Sequence, residues 1–119
     1  MKIVYASRTG NVESIVSSLD AQDALRIDTG SESVSEDYVL FTYTDGYGDV
    51  PMEVETFLQN NSAHMKAVVA SGDMAYGDAF CGAGTRISEQ YNVPLLYKVE
   101  NAGTEEDIEN IKNAIANLK

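Results

Sequence analysis

The chain has 119 residues, 19 of them acidic and 8 basic, for a net charge of −11 at neutral pH. A chain of that length, taken as residues 1–119, makes one domain with a real core and no room for a second. The negative field excludes nucleic acid and anionic membranes as partners and favours a basic docking face, while a single cysteine rules out an internal disulfide and fits a reducing cytoplasm.

No apolar run approaches the roughly 18 residues of a membrane span, and the first residues already read as strand, without the leader of a signal peptide. Ile3-Val4-Tyr5-Ala6 is short and β-branched, which predicts a buried parallel strand. Val12, Ile15, Val16 and Leu19 follow at helical spacing. Between strand and helix lies Ser7-Arg8-Thr9-Gly10-Asn11, where free amides and the positive end of the helix dipole converge. Ser7, Thr9 and Asn11 add side-chain donors, and Gly10 lets the backbone curl around a ligand. An ordinary capped helix start uses one such side chain, and this loop spends three. It lacks both the G-x-x-x-x-G-K-[ST] of a nucleotide P-loop and the G-x-G-x-x-G of a dinucleotide site, so a monophosphate monoester is the expected ligand.

Ala24-Leu25-Arg26-Ile27 is a short, partly polar strand expected at a sheet edge, and the polar stretch 28–37 predicts a crossover with little or no helix. Tyr38 to Thr42 reads as a central strand. It runs into a glycine-rich loop, Tyr43-Thr44-Asp45-Gly46-Tyr47-Gly48-Asp49-Val50-Pro51, and Pro51 stands where a helix with Val54, Phe57 and Leu58 on its buried face can start. Ala67 to Ala70 is a fourth strand, followed by the loop Ser71-Gly72-Asp73-Met74-Ala75-Tyr76-Gly77-Asp78. Phe80, Ala83, Ile87 and Tyr91 predict a helix, Pro94 to Val99 a fifth strand. Thr104 and Asp107 stand in capping spacing before a last helix that buries Ile108, Ile111, Ile115 and Leu118.

Strands separated by helices predict an α/β, doubly wound, five-stranded parallel sheet of order 2-1-3-4-5 with helices on both faces. Ligands then bind beyond the carboxyl ends of the strands at the switch point, where the loops after strands one, three and four meet. The first loop offers a phosphate cradle. The other two offer glycines for close approach, and Tyr43, Tyr47 and Tyr76 as rings able to stack on a flat ligand, Tyr76 foremost. A planar heterocycle ending in one phosphate describes flavin mononucleotide (FMN), and a peptide flip at Gly46 or Gly48 could hydrogen-bond a reduced ring nitrogen.

Ser7-x-Thr9-Gly10-Asn11 resembles the phosphate loop of flavodoxins, and the three-loop layout resembles their whole fold. Thr42 to Pro51, with Glu53-Val54-Glu55-x-Phe57-Leu58, is similar to the small flavodoxin-like activator of class Ib ribonucleotide reductase. So is Ser71-Gly72-x-x-x-Tyr76-Gly77-Asp78-x-Phe80, although Asp73-Met74-Ala75 stands where that family commonly has Asn-Arg-Asn. The resemblance covers nearly the whole chain. It implies FMN held by Ser7, Arg8, Thr9, Gly10, Asn11, Val12, Thr42, Tyr43, Thr44, Asp45, Gly46, Tyr47, Gly48, Ser71, Gly72, Asp73, Tyr76, Gly77, Asp78 and Phe80. It further implies a flavin-reducing electron donor, reaction of the reduced flavin with O2, and delivery of superoxide to the reductase small subunit. The protein is then a redox activator rather than a stand-alone enzyme, with no catalytic side chain because the flavin carries the chemistry.

A conventional short electron-transfer flavodoxin is the alternative, favoured by the acidic surface and by Phe80-Cys81-x-Ala83. A phosphoacceptor receiver domain shares the strand order but needs acidic residues where this chain has Ser7-Arg8 and Thr42-Tyr43. Cys81 reads as a structural thiol and His64 as a surface histidine. Asp45, Asp49, Asp73 and Asp78 are explained by turn chemistry, with no protein-borne metal expected.

Overall fold

In the computed structural model, which describes residues 1–19, 21 and 23–118, the β-branched runs become strands and the amphipathic runs become helices. In chain order these are β1 (Lys2–Tyr5), α1 (Asn11–Ser18), β2 (Leu25–Arg26), β3 (Tyr38–Thr42), α2 (Met52–Asn61), β4 (Met65–Gly72), α3 (Gly82–Tyr91), β5 (Leu95–Glu100) and α4 (Glu105–Ala116). The five strands form one parallel sheet in the order β2-β1-β3-β4-β5.

The two-residue period of the strands sorts the core into two halves. Val4, Leu40 and Val68 point to one face and meet Val54, Phe57 and Leu58 of α2 and Ile87 of α3. Ile3, Val39, Phe41, Ala67, Val69 and Val99 point to the other and meet Val12, Ile15 and Val16 of α1 and Ile111 of α4. Every residue of β3 is buried, as a strand covered on both faces requires. Fully burying Phe41 or Phe57 contributes about 1.5–3 kcal/mol each.

Several boundaries differ from expectation. The edge strand β2 keeps only Leu25 and Arg26, pairing with Val4 and Tyr5, while stretch 28–37 contains no helix, as its polar composition predicts. β4 is longer than its apolar centre and takes in Ser71 and Gly72, which pair with Val99 and Glu100 of β5. The α2 helix starts one residue after Pro51. Phe80 does not belong to α3: it ends a 3₁₀ stretch, Met74–Ala79, kinked at Gly77, and Cys81 with φ 55° separates it from the helix. In α4 only Ile111 is fully buried, Ile108 and Ile115 are partly exposed, and Leu118, expected in this helix, lies beyond its end at Ala116 and packs partly exposed. The Thr104 hydroxyl accepts from the Asp107 amide at 3.1 Å, and the Asp107 carboxylate accepts from the Thr104 amide at 2.9 Å, a complete capping box.

Candidate functional site

Because every strand runs the same way, the loops after β1, β3 and β4 emerge together, and they enclose a cavity of about 170 Å³. The first loop turns into α1 through Gly10, whose φ of +94° is left-handed. A Cβ built there meets nothing within 4 Å, so glycine is needed for the backbone angle and not for space. Gly10 is the N-cap of α1, and the buried Ser7 reaches over it, its Oγ accepting from the Glu13 amide at 3.2 Å. The Ser14 amide bonds the Gly10 carbonyl. The Asn11 and Val12 amides find no acceptor among the described residues, and they stand at the positive end of α1.

Arg8 leans out of this loop onto the second one. Its guanidinium lies 4.9 Å from the Tyr43 ring centroid and bonds Asp45 at 3.0 Å. Tyr43 in turn donates to Glu53 at 2.7 Å, and burial together with that carboxylate pushes its hydroxyl pKa up, so it stays protonated. The second loop folds back on itself through paired backbone bonds between Asp45 and Asp49, at 2.9 and 2.7 Å. Asp49 bonds Arg86 of α3 at 2.8 Å. Thr44 donates to the Ser71 carbonyl at 3.0 Å, and Ser71 donates to the Asn101 carbonyl at 2.7 Å. Tyr76 stands at the rim, 5.1 Å from Tyr47 in an edge-on pair.

Of the residues named from sequence, Ser7, Arg8, Thr9, Asn11, Val12, Tyr43, Thr44, Gly46, Ser71, Gly72, Asp73 and Tyr76 line the cavity. Gly10, Asp45, Tyr47, Gly48, Gly77, Asp78 and Phe80 belong to the same loops but stand outside its wall, and Thr42 is buried with its hydroxyl on the Tyr43 carbonyl at 2.8 Å. Gly48 presses on α3, where a Cβ on Gly82 would meet the Gly48 Cα at 2.6 Å. Ala79, Cys81 and Asn101 join the wall unexpected from the sequence, which marks Cys81 only as a structural thiol. Asn101 comes from a fourth loop, after β5, and its sequence signal was the turn-forming Asn101-Ala102-Gly103 beyond an apolar strand. Cys81 is fully buried, its thiol 3.3 Å from the Ala70 carbonyl, and burial pushes it up to about 11, which keeps it neutral. His64 is a surface residue 3.3 Å from Asp37. Among the described residues no group of three His, Cys, Asp or Glu side chains is placed to hold a metal, and no helix is long and apolar enough to cross a membrane.

A parallel sheet of order 2-1-3-4-5 with its cavity at the switch point defines a flavodoxin-like protein. The chain belongs to the NrdI flavodoxin-like family, whose sequence pattern it matches over residues 3–113. Members of this family and flavodoxins bind FMN. Oxidised flavodoxin 2 from Bacillus cereus is 30% identical, with a TM-score of 0.69 over 97% of this chain and 94% of that one. A short-chain flavodoxin associated with a non-canonical PDU bacterial microcompartment shares the fold at 22% identity, TM-score 0.76, covering 98% and 94%. So does two-electron reduced Megasphaera elsdenii flavodoxin, at 18% identity and TM-score 0.66 over 97% of each chain.

Proposed function

We propose that the protein holds FMN in the cavity between the loops and, with the flavin reduced, supplies superoxide to the small subunit of a class Ib ribonucleotide reductase. The observation that carries the first half is the pair of unpartnered amides, Asn11 and Val12, at the start of α1 beside the same cavity as Gly46, Gly72 and Tyr76. An anionic group at one end and a flat ring at the other suit those two kinds of wall. Membership of the NrdI flavodoxin-like family supports the second half. Bound there, the flavin supplies the redox chemistry, including one-electron transfer to O2.

The chain's own residues then have defined tasks. Amides of the first loop and the Thr9 and Asn11 side chains bind the phosphate. Backbone at Gly46 and Gly72 and the Tyr76 ring at the rim would hold the flat ring. The Arg8–Asp45 and Arg86–Asp49 pairs draw two carboxylates of the second loop onto cations, which lessens their repulsion of a negative reduced ring. An electron donor must reduce the flavin, and a partner with a basic face complements the acidic surface.

Reduced protein mixed with O2 and a manganese-loaded class Ib small subunit should generate that subunit's oxidised radical cofactor; oxidised protein without reductant should not. If the reduced protein binds the cognate subunit and never activates it, yet supports flavodoxin-dependent electron transfer, the alternative prevails. The full-length likeness to flavodoxin 2 favours that second reading, a conventional electron-transfer flavodoxin.

A further inference from the structure

We propose that Arg26 is a positioning residue of the phosphate cradle, and that through it the protein prefers FMN to the phosphate-free riboflavin. The inference rests on the FMN reading above and assigns a role to a residue that does not touch the cavity.

Arg26 ends the edge strand β2, in register with Tyr5, the last residue of β1. The Ile27 amide bonds the Tyr5 carbonyl at 2.7 Å, which seats this end of β2 against the root of the first loop. From there the guanidinium passes the Tyr5 ring at 5.9 Å, and each of its three nitrogens meets an oxygen. One donates to the Ser7 carbonyl at 2.9 Å, another forms an ion pair with Glu13 at 3.3 Å, and Nε donates to Asp28 at 3.2 Å. The side chain is only 38% exposed although it carries charge.

Two of these contacts act on an anion at the start of α1. The Ser7 carbonyl is a negative pole inside a loop built to receive negative charge, and Arg26 holds it by a bond directed away from that task. In a trans peptide the following Arg8 amide points opposite to the carbonyl, so fixing one fixes the other. Glu13 stands in the first turn of α1, where its carboxylate favours the helix dipole and opposes a bound phosphate. Arg26 lies against that carboxylate and offsets it. Asp28 keeps the guanidinium fork in plane for both contacts. The groups Arg26 holds are Ser7, Glu13 and Asp28, none of them among Gly46, Gly72 and Tyr76 of the ring end, so the contribution is assigned to the phosphate.

The test is fluorescence titration of the apoprotein with FMN and, separately, with riboflavin. Arg26→Met should raise the Kd for FMN roughly tenfold while the Kd for riboflavin moves less than about twofold. Arg26→Lys keeps the charge without the three-way fork and should fall between. Glu13→Gln should raise FMN affinity by a larger factor in the Arg26→Met protein than in wild type, where Arg26 already offsets that carboxylate; a merely structural role for Arg26 would give the same factor in both. The proposal is overturned if both ligands weaken by the same factor, or if FMN binding is unchanged. Should Arg26→Met not fold by circular dichroism, Arg26→Lys decides: the FMN-to-riboflavin preference must fall by about threefold or more. A wild-type protein that binds riboflavin as tightly as FMN would overturn the phosphate-cradle reading itself.

Discussion

Replacing Gly82 with Ala tests whether the second loop is seated by backbone contact with α3. An added Cβ would stand 2.6 Å from the Gly48 Cα, 3.1 Å from its carbonyl oxygen and 3.3 Å from its carbonyl carbon. All three atoms are backbone, so no side chain can rotate out of the way. Overpacking of this kind costs about 1–3 kcal/mol. Against it stands the helix propensity of Ala over Gly, worth up to about 1 kcal/mol in a helix interior and less at the first helical residue, where Gly82 lies. The bump therefore wins, with a net loss on the order of 1–2 kcal/mol in urea unfolding of the apoprotein. The loop cannot yield freely, because the Asp45–Asp49 backbone pair and both arginine contacts hold it. Its displacement should move Gly46 at the cavity wall and raise the Kd for FMN. Gly84→Ala is the control: its Cβ would strike the Ala70 and Leu95 side chains at 2.6 and 2.8 Å, neither of them in the second loop, so stability should fall with less effect on FMN affinity than Gly82→Ala has. A Gly82→Ala protein that is as stable as wild type, or that binds FMN unchanged, refutes the reasoning.

Thr9→Val should leave stability unchanged, since Thr9 is exposed, and should weaken FMN binding by roughly 1–3 kcal/mol in a fluorescence titration; an unchanged Kd would make the first loop a helix cap and nothing more. Tyr76→Ala removes the rim ring and should cost on the order of 0.5–1.5 kcal/mol of flavin affinity beyond area burial, with stronger flavin emission; quenching that survives assigns the stacking to Tyr47 or Tyr43. The Tyr97 hydroxyl, and then the Thr104 amide, hold the Asp107 carboxyl below the usual carboxylate range. A depressed carboxylate contributes stability above its unfolded value, near pH 4, and loses it as pH falls through the folded value, so melting temperatures of Asp107→Asn should decline less than wild type from about pH 5 to pH 2. Parallel acid slopes for the two proteins would exclude that contribution.

The order of the sheet was legible because the apolar runs are short, β-branched and separated by helical spacing, and the three ligand loops follow directly from it. Local chemistry also read through to structure in the Thr104–Asp107 box, which needs only four neighbouring residues. What escaped depended on contacts distant in sequence. Ser71 and Gly72 look like turn residues and extend β4 only because β5 lies beside them. Cys81 accepts a left-handed φ because its thiol is held between the Ala70 and Val99 carbonyls, at 3.3 and 3.7 Å, and this removes Phe80 from the helix that its spacing predicted. Gly48 and Gly82 are 34 positions apart, and nothing local marks them as a touching pair. Tyr43 reads as a free aromatic, but one side of its ring is already covered by Arg8.

The distribution of cations shows how an acidic chain can hold an anionic cofactor. The chain has three arginines, Arg8, Arg26 and Arg86. All three reach the end of the sheet where the cavity lies, and each is bonded to a carboxylate in or beside a ligand loop: Asp45, Glu13 with Asp28, and Asp49. As surface pairs these add little to stability. Their placement matters for the field, because carboxylates beside the cavity, Asp45, Glu13 and Asp49, are then offset locally, whereas Asp73 in the cavity wall has no cation partner among the described residues and accepts from the Ala75 amide at 2.9 Å. Arginine suits the position better than lysine, since its planar fork can hold a carboxylate and a second group at once: the Tyr43 ring for Arg8, the Ser7 carbonyl for Arg26. A molecule with a strongly negative surface can thus keep a cavity in which a phosphate is tolerated.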